Sequence, residues 1–235
     1  MLDIKNLDAG YGSIQVLWDI TLNVGNREVV SLIGANGAGK TTLIRAISGI
    51  LKPKRGSIDF AGRTINTMIP SDRVVAGILQ VPEGRKLFSG MNVHENLVMG
   101  GYALKDRKMV KENLDYVYGL FPELVALRRQ AADTLSGGQQ QMVAIARALM
   151  GSPKLLLVDE FSLGLAPVVV ERLAEAIRVI QSTKDVAILM VEQDVQLGLE
   201  LSSRAYVLET GKMAMFGDSK DLMKNPVIRE AYLGI

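Results

Sequence analysis

Several apolar runs in this chain stop abruptly at polar residues. "LLLVDE" (155–160) ends in Asp159 and Glu160, and "ILMVEQD" (188–194) ends in Glu192, Gln193 and Asp194. Unbroken apolar runs of this length read as strands buried on both faces that deliver polar side chains at their C-terminal ends. "EVVSLIG" (28–34) is a third such run and leads into a glycine-rich loop. A helix is expected over 40–50, with Gly49 near its end and Pro53 beyond it. "GSIDFAG" (56–62) and "GILQVPE" (77–83) read as further strands. From 154 onward strands and helices alternate: strand 154–159, helix 167–182, strand 186–191, helix 194–202, strand 205–209. This is the βαβ rhythm of a parallel sheet covered on both faces.

The remaining stretches have other rhythms. "LDIKNL", "AGYGS" and "DITLNV" in the first thirty residues, punctuated by glycine and asparagine, predict short antiparallel strands. Residues 92–150 are mostly helical in spacing. Asn92 followed by Glu95 predicts a capping box, and "ENLDYVYGLF" has helical periodicity. "LETGKMAMFGD" (208–218) predicts a hairpin, and a short helix is expected to end near Tyr232. With no internal repeat, low-complexity tract or linker, residues 1–235 are expected to form one α/β domain with an inserted helical lobe.

Composition narrows the picture. The chain is 48% hydrophobic and 22% charged, enough to bury a core. A mean hydropathy of +0.19 fits either a sheet buried on both faces or apolar surface kept for a partner. A net charge of +2 does not point to a nucleic-acid partner. The absence of cysteine excludes disulfides and thiolate metal sites. "MLDIKNLD" lacks the apolar segment of a signal peptide. Runs such as Val186 to Val191 fall short of the roughly 18 residues a transmembrane helix needs, so work at a membrane would be done from its surface.

Candidate chemistry begins at "GANGAGKT" (34–41), which matches G-x-x-x-x-G-K-[ST] between a predicted strand and a predicted helix. Gly34, Asn36, Gly37, Ala38 and Gly39 supply a loop whose N–H groups can wrap phosphate, at the positive end of the following helix. Lys40 can reach the β- and γ-phosphates of a nucleotide, Thr41 can ligate Mg²⁺, and Thr42 belongs to the same nucleotide-binding set; by itself the motif leaves kinases, GTPases and many ATPases open. Asp159 can hold the Mg²⁺ shell, and Glu160 can polarise a water for attack on the γ-phosphate. "LSGGQ" (135–139) opens another helix, where the Ser136 hydroxyl and the Gly137 and Gly138 N–H groups form a second anion site. A second phosphate site makes sense if two subunits sandwich one ATP. A capped helix start is the simpler reading of the same residues.

Taken in order, "GANGAGKT", Gln80, "LSGGQ" and "LLLVDE" resemble the nucleotide-binding subunit of ABC transporters, over essentially the whole chain. The resemblance implies a P-loop, RecA-like core. With it come an antiparallel β subdomain (about 1–27 and 54–66), an α-helical subdomain (84–150) and a head-to-tail dimer binding two ATPs. It also implies that Tyr11 of "GYG" stacks on adenine, that Gln80 contacts Mg²⁺ and water, and that Ser136 to Gln139 meet the partner's ATP. "PEGRKLF" (82–88), "SLGLAP" (162–167), "VEQ" (191–193) and the ending "AYLG" (231–234) resemble the LivF-type subunit of branched-chain amino acid importers. That subgroup implies a LivG-like second ATPase or a homodimer in isolation, two membrane permease subunits, an external solute-binding protein, and a peripheral position on the cytoplasmic face of the plasma membrane. The segment after Gln80, "PEGRKLFSGMNVHENL", is then expected near the membrane subunits.

Three positions depart from the wider family. Phe161 replaces the proline usual after the catalytic glutamate, implying a looser turn. Ala166 stands where an aspartate is usual. Gln193 replaces the switch histidine, and the chain's one histidine, His94, reads as a surface residue at a helix start. Glutamine can donate and accept but cannot carry a proton, so Gln193 can only orient phosphate or water, leaving Glu160 as the base. The competing readings are importers of urea, short amides or other amino acids, a non-transport ABC ATPase, and a weakly hydrolysing regulatory subunit.

Overall fold

A computed structural model describes residues 1–233; Gly234, the last residue of the "AYLG" ending, lies outside the described residues. The chain opens with β1 (Leu2–Tyr11) and β2 (Ile14–Val24), paired antiparallel, so "LDIKNL" and the start of "AGYGS" form one continuous strand. β3 (Val29–Ile33) is buried at every position and leads to α1 (Lys40–Ser48). β4 (Arg55–Phe60) pairs with β1, and the two-residue β5 (Arg63–Thr64) follows a turn at Ala61 and Gly62. These strands make a four-stranded sheet in the order β2-β1-β4-β5.

Next come α2 (Pro70–Ala76) and β6 (Ile78–Val81). The helical stretch is α3 (Val93–Gly100), α4 (Arg107–Leu120), α5 (Glu123–Leu127) and α6 (Gly137–Leu149). Asn92 and Glu95 form the expected capping box at α3. The alternating half follows: β7 (Leu155–Asp159), α7 (Pro167–Thr183), β8 (Ala187–Glu192), α8 (Val195–Leu201) and β9 (Arg204–Glu209). β10 (Lys212–Asp218) completes the hairpin, and α9 (Ser219–Lys224) precedes a last helical segment over 226–233.

The second sheet runs β10-β9-β3-β8-β7-β6, parallel throughout except for the β9–β10 hairpin. Strand alternation puts Leu156, Val158, Ile188 and Met190 on one face, against α6 and α7. Leu155, Leu157, Leu189 and Val191 face the other way, against α1 and the antiparallel sheet. Burial on both faces is why these strands read as unbroken apolar runs. α7 meets the first face with Leu173, Ile177 and Ile180, one stripe at helical spacing.

The sequence reading did not anticipate α2. It is one short helix, with Pro70 in its first turn. It carries Arg73, which is only 1% exposed and has no acidic partner in its hydrogen bonds. Its guanidinium donates to the carbonyls of Met68 (2.9 Å), Ala46 and Ile47 (both 2.7 Å) and Ile65 (2.6 Å). Ala46 and Ile47 lie in the last turn of α1, where free carbonyls and the helix dipole favour a cation. Arg73 therefore caps, from a distant element, the helix that carries the phosphate loop.

Candidate nucleotide site

The loop between β3 and α1 is shaped by backbone constraints. A Cβ on Gly34 would lie 2.3 Å from the Leu208 carbonyl oxygen of the neighbouring strand, so only glycine fits. Gly39, with φ of 111°, takes a left-handed turn that side chains resist. The Ala38 carbonyl accepts from Gly211 N–H at 2.9 Å, tying the loop to the β9–β10 hairpin. α1 starts without a side-chain cap or an acidic residue in its first turn, so its N–H groups are available to an anion.

A cavity of about 400 Å³ opens over this loop. Asn36, Gly37, Gly39, Lys40, Thr41 and Thr42 form one wall, and Glu160 and Gln193 another, with Val16, Glu83 and Leu163 completing it. The sheet order explains the assembly. β8 runs between β3 and β7, so the ends of all three converge, with Gln193 between the phosphate loop and Glu160. The Lys40 ammonium donates to the Gly34 (2.7 Å) and Ala35 (3.2 Å) carbonyls. It also ion-pairs with Glu160 at 3.3 Å, both side chains being largely buried.

Asp159 is 2% exposed, and its Oδ1 has no hydrogen-bond partner. Burial, reinforced by the charges of Glu160 and Glu83, pushes its carboxyl up to about 6. An orphaned, buried carboxylate oxygen beside further acids suits a cation. No cluster of three or more potential ligands exists among the described residues. A Mg²⁺ site does not require one, because substrate phosphates and water complete the shell.

At the end of β8, the Val191 carbonyl accepts from Glu160 N–H at 2.8 Å. Glu192 is buried, and its carboxylate accepts from Phe161 N–H (3.0 Å) and the Ser162 hydroxyl (2.8 Å). Burial outweighs these hydrogen bonds and pushes Glu192 up to about 7. Between its ordinary value near 4.5 and 7, the folded protein holds a proton that the unfolded chain has released. Unfolding free energy should therefore fall as pH rises through that window. Urea melts at pH 5 and pH 7 check this: Glu192→Gln should lose less stability between them than the parent does.

Not every expected residue lies at this cavity. Tyr11 sits at the end of β1 with its hydroxyl accepting from Arg45 at 2.9 Å, and Val16 rather than Tyr11 lines the cavity. Gln80 lies within β6, in register with Leu157, two residues and about 7 Å short of Asp159 along the strand. It lines a separate groove, while Glu83, beyond the strand end, reaches the cavity. Ser136 to Gln139 are at the start of α6, away from the cavity walls. There the Ser136 and Gln139 side chains form a capping box, the simpler of the two sequence readings, while the hydroxyl keeps its proton to donate. His94 is exposed on α3 against Tyr118. The looser turn expected from Phe161 is not found, because Phe161 is buried and its N–H, which proline lacks, is bonded to Glu192. Glu192 was missed because a strand-end glutamate looks like any surface acid until its neighbours are known. Glu83 was legible as a polar residue just after a strand.

The comparisons agree with this geometry. The sequence profile of the ABC transporter family matches residues 17–162. Over 234 residues, covering 100% of both chains, the sequence is 44% identical to the high-affinity branched-chain amino acid transport ATP-binding protein BraG of Pseudomonas aeruginosa. It is 33% identical, over 100% of this chain and 99% of the relative, to a probable branched-chain amino acid transport ATP-binding protein LivF of Archaeoglobus fulgidus. Among solved structures, a nucleotide-free ATP-binding cassette from an ABC transporter superposes with a TM-score of 0.86 at 26% identity, covering 100% of this chain and 99% of that one. Phosphate loop, paired acids and full-length similarity converge: the chain belongs to the ABC transporter family and is one of its ATP-binding, ATP-hydrolysing cassettes.

Proposed function

We propose that this cassette powers an importer of branched-chain or related hydrophobic amino acids. The observation that carries the reading is the full-length similarity to two branched-chain amino acid transport ATP-binding proteins. The assembly of Lys40, Thr41, Glu160 and Gln193 around one cavity supports the chemistry. The cassette works at the cytoplasmic face of the plasma membrane, with a LivG-like second ATPase, two permease subunits and an external solute-binding protein. Among the described residues no helix is long and apolar enough to cross a membrane. The groove lined by Val74, Gln80, Phe88, Met99 and Tyr102, with Phe88 and Tyr102 exposed, suits docking of the permease.

In this reading the α1 N-terminus and Lys40 bind the phosphates of ATP, and Glu160 takes the proton of the attacking water. Gln193 orients that water or the γ-phosphate through its amide. Thr41 and Asp159 would hold Mg²⁺, which when bound offsets phosphate charge. Ser136 to Gln139 of a second cassette close over the same ATP, Tyr11 faces the adenine, and Gln80 links the site to the docking groove. ATP favours the closed dimer only by binding it more tightly than the open one.

Deleting this chain from its host should abolish high-affinity uptake of radiolabelled leucine, with restoration by the parent gene. Unchanged leucine uptake alongside loss of urea or amide uptake would move the assignment to a sister importer. For the site, Gln193→Ala should slow hydrolysis about tenfold, the upper end of what one hydrogen bond is worth, and Gln193→His should recover part of it. Full-rate hydrolysis by Gln193→Ala in the assembled complex would reduce Gln193 to a strand-end residue.

A further inference from the structure

We propose that Glu192 is a positioning residue for ATP hydrolysis, a clamp that locks the Glu160–Phe161–Ser162 turn onto the end of β8. The inference rests on the reading of Glu160 as the base. Glu160 has φ of 47°, a left-handed conformation that is strained for a non-glycine residue and persists only where the surroundings enforce it. On its N-terminal side the enforcement is ordinary strand pairing, Glu160 N–H to the Val191 carbonyl at 2.8 Å. On its C-terminal side the ladder has ended, and the Glu192 side chain takes over. One carboxylate oxygen accepts from Phe161 N–H at 3.0 Å, the other from the Ser162 hydroxyl at 2.8 Å.

Two features separate this from incidental packing. Glu192 is 1% exposed and ion-pairs with no cation among the described residues, so hydrogen bonds to this turn are what compensate its burial. The residue that follows Glu192 is Gln193, which lines the cavity with Glu160. One side chain thus ties together the two segments that present the base and the positioning amide. Phe161 contributes an N–H that the family's usual proline could not. A loosened turn would leave the phosphate loop intact but let the Glu160 carboxylate wander.

The test is ATP turnover and ATP affinity of the assembled complex carrying variants of the full-length chain, measured separately. Glu192→Leu should lower kcat about a hundredfold, the cost of misplacing a catalytic group by about 1 Å, with the Kd for ATP essentially unchanged. Glu192→Gln keeps an oxygen for Phe161 N–H and an NH₂ for the Ser162 hydroxyl, and should recover at least about a third of the parent kcat. Ser162→Ala, which leaves Glu192 in place and keeps the test open if Glu192→Leu does not fold, should lower kcat about fivefold at constant Kd, the worth of one hydrogen bond. The clamp is overturned by any of three results: Glu192→Leu, or Ser162→Ala where the former is unfolded, turning over at the parent rate; Glu192→Gln falling as far as Glu192→Leu; or Kd rising in step with the loss of kcat. Glu160→Gln run in parallel separates the two readings. Full turnover in that variant removes the base assignment, whereas a dead Glu160→Gln beside a normal Glu192→Leu removes the clamp alone.

Discussion

Glu160→Gln should reduce steady-state ATP turnover by roughly 10²–10⁴-fold while ATP remains bound, the range expected when a general base is lost. The substitution keeps the size of the side chain and a hydrogen-bonding oxygen, and removes only basicity and charge. Neither Gln193 nor His94 can take its place. Gln193 cannot carry a proton, and His94 is exposed on α3 against Tyr118. Glu83 is the other acid lining the cavity, so Glu83→Gln is the discriminating companion. Affinity for ATP should hold or tighten, because the Lys40 ammonium, 3.3 Å from Glu160, is released from an ion pair that competes with phosphate. Single-turnover hydrolysis and equilibrium ATP binding separate these effects. Turnover within tenfold of the parent would exclude Glu160 as the base, and its loss in Glu83→Gln instead would transfer the role.

Arg73→Ala should destabilise the cassette by about 3 kcal/mol, through buried carbonyls left without a donor and a cavity where the side chain lay. Four carbonyls from the α1 end and the segment leading to α2 converge on this one guanidinium. Some keep another donor, Ala46 from Gly49 N–H and Ile65 from Met68 N–H, which limits the loss. For a chain of this size the melting temperature should drop by roughly 10 °C, at about 2–4 °C per kcal/mol. Arg73→Lys, a point charge unable to span four acceptors, should fall between parent and Arg73→Ala. Calorimetry without nucleotide checks both, and a melting temperature unchanged in Arg73→Ala would show that water replaces the guanidinium at no cost.

What could be read from the sequence divides by range. The phosphate loop was legible because its requirements are local: strand, glycines, lysine and helix start are consecutive, and each glycine answers a backbone demand nearby. The capping boxes at Asn92–Glu95 and Ser136–Gln139 are local for the same reason, a side chain reaching three residues along its own helix. The buried strands were legible because burial on both faces leaves no polar alternation. α2 was not, since its reason to exist is the contact of Arg73 with carbonyls about 27 residues earlier in the chain. Likewise, the Gln80 motif position does not reveal that its strand stops short of Asp159, which depends on the β6–β7 register.

The sequence by itself determined the α/β class, the phosphate loop and the acidic strand end, because short-range backbone geometry and hydrophobic periodicity are written in consecutive residues. Only the tertiary structure decided that β8 lies between β3 and β7, and this brings Lys40, Glu160 and Gln193 to one cavity. It also decided that Glu192 turns inward to hold the Glu160 turn rather than outward to water. Which strand neighbours which, and which acid is buried, follow from how several elements share one core, and no single stretch of sequence carries that information.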